Sequence, residues 1–273
     1  MAITIPSLEE LLKAGVHFGH NESRWHPKMA PFIFTTRSGV HIIHLEKTRE
    51  CLERALLFVQ ELSANNKTVL FVGSKRQVRD IVEKYAKECG MPYITEKWIG
   101  GLFTNWQVVA KKIRNLRRLK EMRDKDEFKK YTKKERLMFE REIGKLTIDI
   151  GGIEQLTRLP DAIFIVDLKE EKTALREAIK TNIPVIAMVD TNINPQAVLY
   201  PIPANDDAIK SVDMIIGLLA RAVVSGREKA KAQKATDVVV EKNNEPVAEA
   251  GFVADEIQSE AVEVPVSPLE EKI

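Results

Sequence analysis

The chain has 273 residues, 42 Lys and Arg against 40 Asp and Glu, and a net charge of +2. That length supports a buried core without a metal or a disulfide and predicts one to two domains. Two cysteines, Cys51 and Cys89, with no Cys-x-x-Cys pair, exclude a zinc ribbon and fit a reducing compartment. The start, Met1 to Gly15, lacks the basic-then-apolar pattern of a secretory signal. No apolar run reaches the roughly 20 residues of a membrane helix, so a cytoplasmic protein with no membrane contact is expected.

The small net charge hides a split. Residues 236–273 hold ten acidic and two basic residues, a net −8, which leaves residues 1–235 at +10. A basic body suits a polyanionic partner, although solubility alone also explains such an excess.

In chain order, Ser7-Leu-Glu-Glu10 is a capping-box pattern that opens a short helix with Leu8, Leu11 and Leu12 on its apolar face. Phe32 to Thr35 and Val40 to Ile43 read as a small β-hairpin. Helical spacing follows at Leu52, Leu56, Val59 and Leu62. Four short apolar runs then alternate with helical patterns: Thr68–Val72, Pro92–Thr95, Ala162–Asp167 and Pro184–Asp190, with a last piece at Tyr200–Pro203. Wholly apolar strands predict a sheet covered on both faces, and strand–helix alternation predicts an open, doubly wound parallel α/β sheet. A final helix is expected from Asp206 to about Arg227.

Residues 105–150 break the alternation. Val109, Ile113, Leu116 and Leu119, then Phe139, Ile143, Leu146 and Ile150, form two narrow apolar stripes joined near Asp124 to Thr132. They read as an antiparallel αα-hairpin with a coiled-coil seam, inserted in the sheet domain. The expected organisation is therefore a sheet domain over 1–104 and 151–235, the hairpin over 105–150, and a disordered acidic tail over 236–273.

The chemistry points the same way. Residues 105–150 carry 15 basic against 8 acidic residues. Lys111, Arg114 and Arg118 share one helix face, and such a one-signed excess favours phosphate contact over a merely solvated surface. All five histidines lie between positions 17 and 44. They fit RNA contact or internal hydrogen bonds better than a metal, which would need further donors such as Asp190, Asp206 or Asp207 brought close. Gly73-Ser74-Lys75 follows a strand but lacks the Walker loop, and no G-x-G-x-x-G or G-x-S-x-G occurs. Asp167 and Asp190 stand at strand ends, where doubly wound enzymes often keep active residues and ordinary loops also begin. Trp25, Trp98 and Trp106 lie near cations; they suit base stacking or, more simply, packing.

Several blocks together resemble one family. Gly15-Val-His-Phe-Gly-His20, Arg24-Trp25, Pro27-Lys-Met29, Phe71-Val-Gly-Ser-Lys75, Trp98-Ile-Gly-Gly101, Thr104-Asn105, Pro160-Asp161, Val189-Asp-Thr-Asn192 and Ile202-Pro-Ala-Asn-Asp-Asp-Ala208 are similar to the second small-subunit ribosomal protein of bacterial type. The blocks fall in family order across residues 7 to 227; His26 and Ile193-Asn194 depart from the usual pattern. The resemblance implies a flavodoxin-like domain carrying a protruding hairpin, bound to small-subunit ribosomal RNA at the junction of head and body. It also implies neighbouring small-subunit proteins as partners, the first protein of that subunit among them, and no catalysis.

The residues expected to meet RNA phosphates are His17, His20, Arg24, Lys28 and Arg37 in the N-terminal segment, Lys75, Arg76 and Lys97 in two loops, and Lys111, Arg114 and Arg118 on the hairpin. No cofactor, metal or small-molecule substrate is expected. The rival readings are a doubly wound enzyme acting on a phosphorylated small molecule near Gly73 and Asp190, and a protein-interaction module built on the hairpin.

Overall fold

The computed structural model describes residues 4–243. Five parallel strands form the main sheet: β4 (Val69–Val72), β5 (Tyr93–Ile94), β6 (Ala162–Ile165), β7 (Val185–Val189) and β8 (Tyr200–Pro203), in spatial order β5-β4-β6-β7-β8. Alternation within these apolar strands divides the core. Val69, Phe71, Phe164, Ile186, Met188 and Ile202 face one cluster, while Leu70, Val72, Ile163, Ile165, Ala187 and Val189 face another. Both faces are covered, which is why β4 and β6 contain no polar residue.

Helices α1 (Leu8–Lys13), α2 (Leu45–Ala64), α3 (Arg79–Cys89) and α7 (Ile209–Asn243) supply the first cover. Ser7 and Glu10 form the expected capping box on α1. Helix α7 runs past the predicted end near Arg227. Gly226, just before that predicted end, is a contact: a side chain there would collide with the Gln60 carbonyl and Ser63 of α2. The run Arg227 to Ala235 is rich in good helix formers. Residues 236–243 of the expected disordered tail are thus helical, and 244–273 lie outside the described residues.

The second cover comes from α4 (Trp106–Asp124), α5 (Lys133–Ile150) and α6 (Lys172–Lys180). Between β5 and β6 the chain forms α4 and α5, which pack on each other through Val109, Ile113, Leu116 and Leu119 against Phe139, Ile143 and Leu146. This seam is continuous with the sheet core. Near the connection Phe128 stacks on Phe139 at 5.2 Å, and Thr132 and Glu135 make a second capping box that starts α5. Arg117 donates to the Glu154 carbonyl and Lys120 pairs with its carboxylate at 2.5 Å, so the base of α4 is tied to the segment after α5. At Gly152 a side chain would strike Tyr93, which leaves only glycine free to seat that segment on β5.

A smaller antiparallel sheet precedes these layers: β1 (Phe18–Asn21), β2 (Ile33–Arg37) and β3 (Val40–Ile43), in order β1-β3-β2. The β2–β3 hairpin matches the sequence reading. Strand β1 does not, because Phe-Gly-His-Asn carries no strand pattern; its pairing with β3 makes it one. Among the described residues no helix is long and apolar enough to cross a membrane.

One buried carboxylate joins the sheet layer to the base of α4. Glu177 sits on the inner face of α6 beside Ala174 and Ala178. Its two oxygens accept from Trp98 Nε1 at 3.1 Å, from the backbone N–H groups of Gly101, Phe103 and Thr104 at 2.7, 3.0 and 3.2 Å, and from the Thr104 hydroxyl at 3.2 Å. Burial raises the cost of its charge; the bonds from Gly101, Trp98, Thr104 and Phe103 outweigh that and hold its pKa below the ordinary carboxylate value. The loop 98–104, which leads into α4, is thereby fixed. Glu177→Gln keeps the volume but turns an amide N–H2 toward donors, and is expected to cost about 3 kcal/mol of stability in urea unfolding. The sign follows from the depressed pKa: the deficit is full above the unfolded-state value and fades as pH falls through the folded one, where the parent carboxyl also takes up a proton. A neutral-pH deficit under about 0.5 kcal/mol would contradict this role.

Candidate functional site

Several of the motifs scattered through the sequence meet at the carboxyl ends of the parallel strands; Pro160-Asp161 stands at the opposite end, where Asp161 accepts from the Thr68 N–H at 2.9 Å. Residues 15–26 lie across the loops after β7 and β8. His20 N–H donates to Thr191 Oγ1 at 2.8 Å, His26 N–H to the Thr191 carbonyl at 2.8 Å, and Asn205 N–H to the Val16 carbonyl at 3.1 Å. Gly19 permits this approach: a Cβ there would lie 2.5 Å from Thr191 Cγ2. So the blocks 15–20, 189–192 and 202–208 form one unit although about 170 residues separate their partners.

At its centre is a crevice of about 410 Å³, lined by His20, Ser74, Lys75, Asp167, Asp206 and Asp207 among others. It lies beyond β4 and β6, the strands between which the order reverses, where doubly wound enzymes place their ligands. Its chemistry is wrong for a phosphate. Lys75 Nζ is 3.5 Å from both Asp167 and Asp206 and closer still to Asp207. His20 Nδ1 is 3.0 Å from Asp190, and its Nε2 is 3.6 Å from Asp207. Four carboxylates thus engage these two basic groups, and Arg76, Lys169 and Glu170 also line the crevice, so neither Lys75 nor His20 is left free for an incoming anion.

The protonation states follow from these contacts. Burial works against the charge of Lys75, but its bond to Asp207 and the charges of Asp206 and Asp167 prevail and raise its pKa. The hydrogen bond to Asp190 raises that of His20 against the opposing effect of burial. Asp206 is nearly inaccessible; burial, then the charges of Asp167 and Asp190, push it up to about 7 despite Lys75. Among the described residues no three His, Cys, Asp or Glu side chains converge in a metal-holding arrangement.

The expected phosphate-binding residues separate into two groups. His17, His20 and Lys75 are partly buried. His20 and Lys75 are turned to carboxylates, and His17 lies against Phe18 at 4.0 Å, with burial lowering its pKa and favouring the neutral ring. Arg24, Lys28, Arg37, Arg76, Lys97, Lys111, Arg114 and Arg118 are exposed. None of these eight forms an ion pair among the described residues. Arg24, Lys28 and Arg37 stand on the small sheet and its 3-10 turns. Arg76 and Lys97 follow β4 and β5. Lys111, Arg114 and Arg118 line the outer face of α4, opposite its buried seam. Of the tryptophans, Trp98 is core, Trp25 is exposed beside His41 at 5.3 Å, and Trp106 is half-buried.

Glu177 was missed as an organising residue by sequence reasoning. The available signal is a lone carboxylate on the apolar face of a short amphipathic helix, at i+3 from Ala174. Arg79, which grips Glu96 at 2.7 Å and so ties α3 to the loop after β5, gave no such signal.

A basic α/β scaffold with an acid-filled crevice and exposed cations on separate elements defines a binding protein better than an enzyme. Comparison with known proteins specifies the class. The family model described as Ribosomal protein S2 matches residues 11–226, and the chain belongs to that family, one of structural ribosomal proteins and not of enzymes. Relatives named "Small ribosomal subunit protein uS2" are 45% identical in Picosynechococcus sp. over 223 residues, 82% of this chain and 87% of the relative. In Coprothermobacter proteolyticus the identity is 45% over 226 residues, 83% and 84% of the two chains. In Bifidobacterium longum it is 45% over 238 residues, 86% and 85%.

The acidic cluster generates a pH signature. A folded-state pKa near 7 for Asp206, against 3.8 ordinarily, means the folded protein holds a proton that the unfolded chain has lost. Its contribution to stability therefore falls as pH rises from about 4 to about 7 and is level above. Asp206→Asn removes that dependence. The variant's stability relative to the parent is expected to improve by about 2 kcal/mol between pH 5 and pH 8 in denaturant unfolding. A difference that stays constant over this range would contradict the assignment.

Proposed function

We propose that the chain is a structural constituent of the small ribosomal subunit in the cytoplasm, holding small-subunit ribosomal RNA through cations on a stiff α/β scaffold. The single observation that carries this reading is the outer face of α4, where Lys111, Arg114 and Arg118 stand exposed at three- and four-residue spacing with no acidic residue pairing them among the described residues. Charge presented on a rigid helix, at a fixed position relative to a second basic region, suits recognition of a folded polyanion by shape.

The second region consists of Arg24, Lys28 and Arg37, with Arg76 and Lys97 on the neighbouring loops. His20 and Lys75 support that surface from beneath: His20 braces the segment 15–26 on Asp190 and Asp207, and Lys75 holds Asp167, Asp206 and Asp207 together, while His17 lies against Phe18. The parallel order β5-β4-β6-β7-β8 supports a flavodoxin-like domain, with residues 105–150 as an inserted helical hairpin. Two attachments on one scaffold can bridge RNA helices of different subdomains, in keeping with a place at the junction of head and body. Neighbouring small-subunit proteins, including the first protein of that subunit, are the protein partners in this reading. An enzyme acting on a phosphorylated small molecule is disfavoured by the carboxylates of the crevice.

Each phosphate contact releases counterions, so affinity depends on salt in proportion to the number of contacts. The double charge reversal Arg114→Glu, Arg118→Glu is expected to weaken binding to purified small-subunit ribosomal RNA and to lower the steepness of the log affinity against log salt plot by roughly two. Incorporation into reconstituted small subunits falls with it. Unchanged incorporation with an unchanged slope would remove the hairpin from the interface.

A further inference from the structure

We propose that the groove along the first turns of α4 is a subsite for one unpaired nucleotide, its base laid against Trp106 and its phosphates held by Lys111 and Arg114; this rests on the RNA-binding reading above and deepens it.

The groove has a volume of about 380 Å³, within the range of small-ligand pockets. Trp106, Ala110, Ile113 and Leu156 give it an apolar floor. Trp106 packs in part against the buried core and presents the rest of its surface to the groove. Lys111, Arg114 and Arg117 supply positive charge, Gln107 and Thr157 supply uncharged polar groups, and no carboxylate lines it among the described residues. Arg114 is steadied by its Nε donating to the Ala110 carbonyl at 3.3 Å, and Arg117 by the Glu154 carbonyl. The start of α4 adds to the same potential: Asn105 makes no side-chain cap and the first turn has no acidic residue, so the helix dipole is uncompensated there.

Charge decides the occupant. The crevice at the strand ends is of similar size, but its cations, Lys75, Arg76, Lys169 and His20, stand among Asp167, Glu170, Asp206 and Asp207, and no indole or phenyl ring lines it among the described residues. The α4 groove combines an aromatic surface with three cations, the pairing that recognises a base and the phosphates on either side of it. Within a duplex the bases are stacked on each other and unavailable, so the occupant is an unpaired nucleotide of a loop, bulge or single strand. An apolar protein segment would use the floor but leave the cations without partners.

The test uses the full chain, a single-stranded RNA oligonucleotide and a duplex RNA of equal charge. Trp106→Ala is expected to weaken binding of the single strand about tenfold or more, Trp106→Phe to stay within about threefold of the parent, and duplex binding to be unaffected by either. The salt slope should not change in these variants, whereas the double reversal at Arg114 and Arg118 lowers it. Ala110→Glu places a carboxylate in the groove without removing the indole, and is expected to weaken single-strand binding as Trp106→Ala does; it covers the case in which Trp106→Ala fails to melt cooperatively. Parent-like single-strand affinity in folded Trp106→Ala or in Ala110→Glu overturns the subsite, as does an equal loss on the duplex. So does retained RNA affinity with incorporation lost only when other subunit proteins are present, the result a protein occupant gives. If the charge reversal still lowers the salt slope in those cases, the RNA-binding reading survives the loss of the subsite. If the parent binds neither RNA, both fall.

Discussion

Glu177 is a negative charge almost removed from water, and it is tolerable only because five donors converge on it. Those donors belong to the loop 98–104, which connects the edge of the parallel sheet to α4. Moving the loop would strand the carboxylate, so its position is set by the sheet layer through α6. The basic face of α4 inherits that position. The proposed division of labour, a stiff scaffold holding charge at fixed separation, depends on this contact more than on any single cation.

The opposite arrangement holds at the strand ends. There the charges are turned inward: Lys75 and His20 neutralise part of an acidic cluster, and His20 pins the N-terminal segment over it. A doubly wound sheet invites a ligand at this crevice, but here the protein's own side chains occupy the electrostatic role that a ligand would take. This is how one architecture serves as an enzyme in one chain and a structural support in another. Arg24, Lys28, Arg37, Arg76, Lys97, Lys111, Arg114 and Arg118, on the small sheet, on the two loops and on α4, are left exposed without an ion pair among the described residues.

Much of the architecture was legible because the relevant signals are local. The apolar runs at 69–72, 162–165 and 185–189 have no polar residue to hide, and the stripes at 109–119 and 139–150 carry their own period. Strand β1 was not legible, because Phe-Gly-His-Asn becomes a strand only through β3. The length of α7 was not legible either, since the role of Gly226 is visible only once α2 lies against it. The candidate site divides on the same line. Exposure of Lys111, Arg114 and Arg118 follows from helical spacing alone. The inward turn of Lys75 and His20 requires loops from β6, β7 and β8 to meet, and pairings across more than 130 residues leave no trace in local pattern.

The central claim is that exposed cations on a fixed scaffold bind the RNA of the small ribosomal subunit. It is tested most directly by sedimenting the tagged full-length protein from cell extract through gradients of low and high salt. The account predicts that the protein travels with small subunits at low salt and that the bound fraction falls as salt rises. A protein that remains at the top of the gradient at every salt concentration, beside intact small subunits, would contradict it.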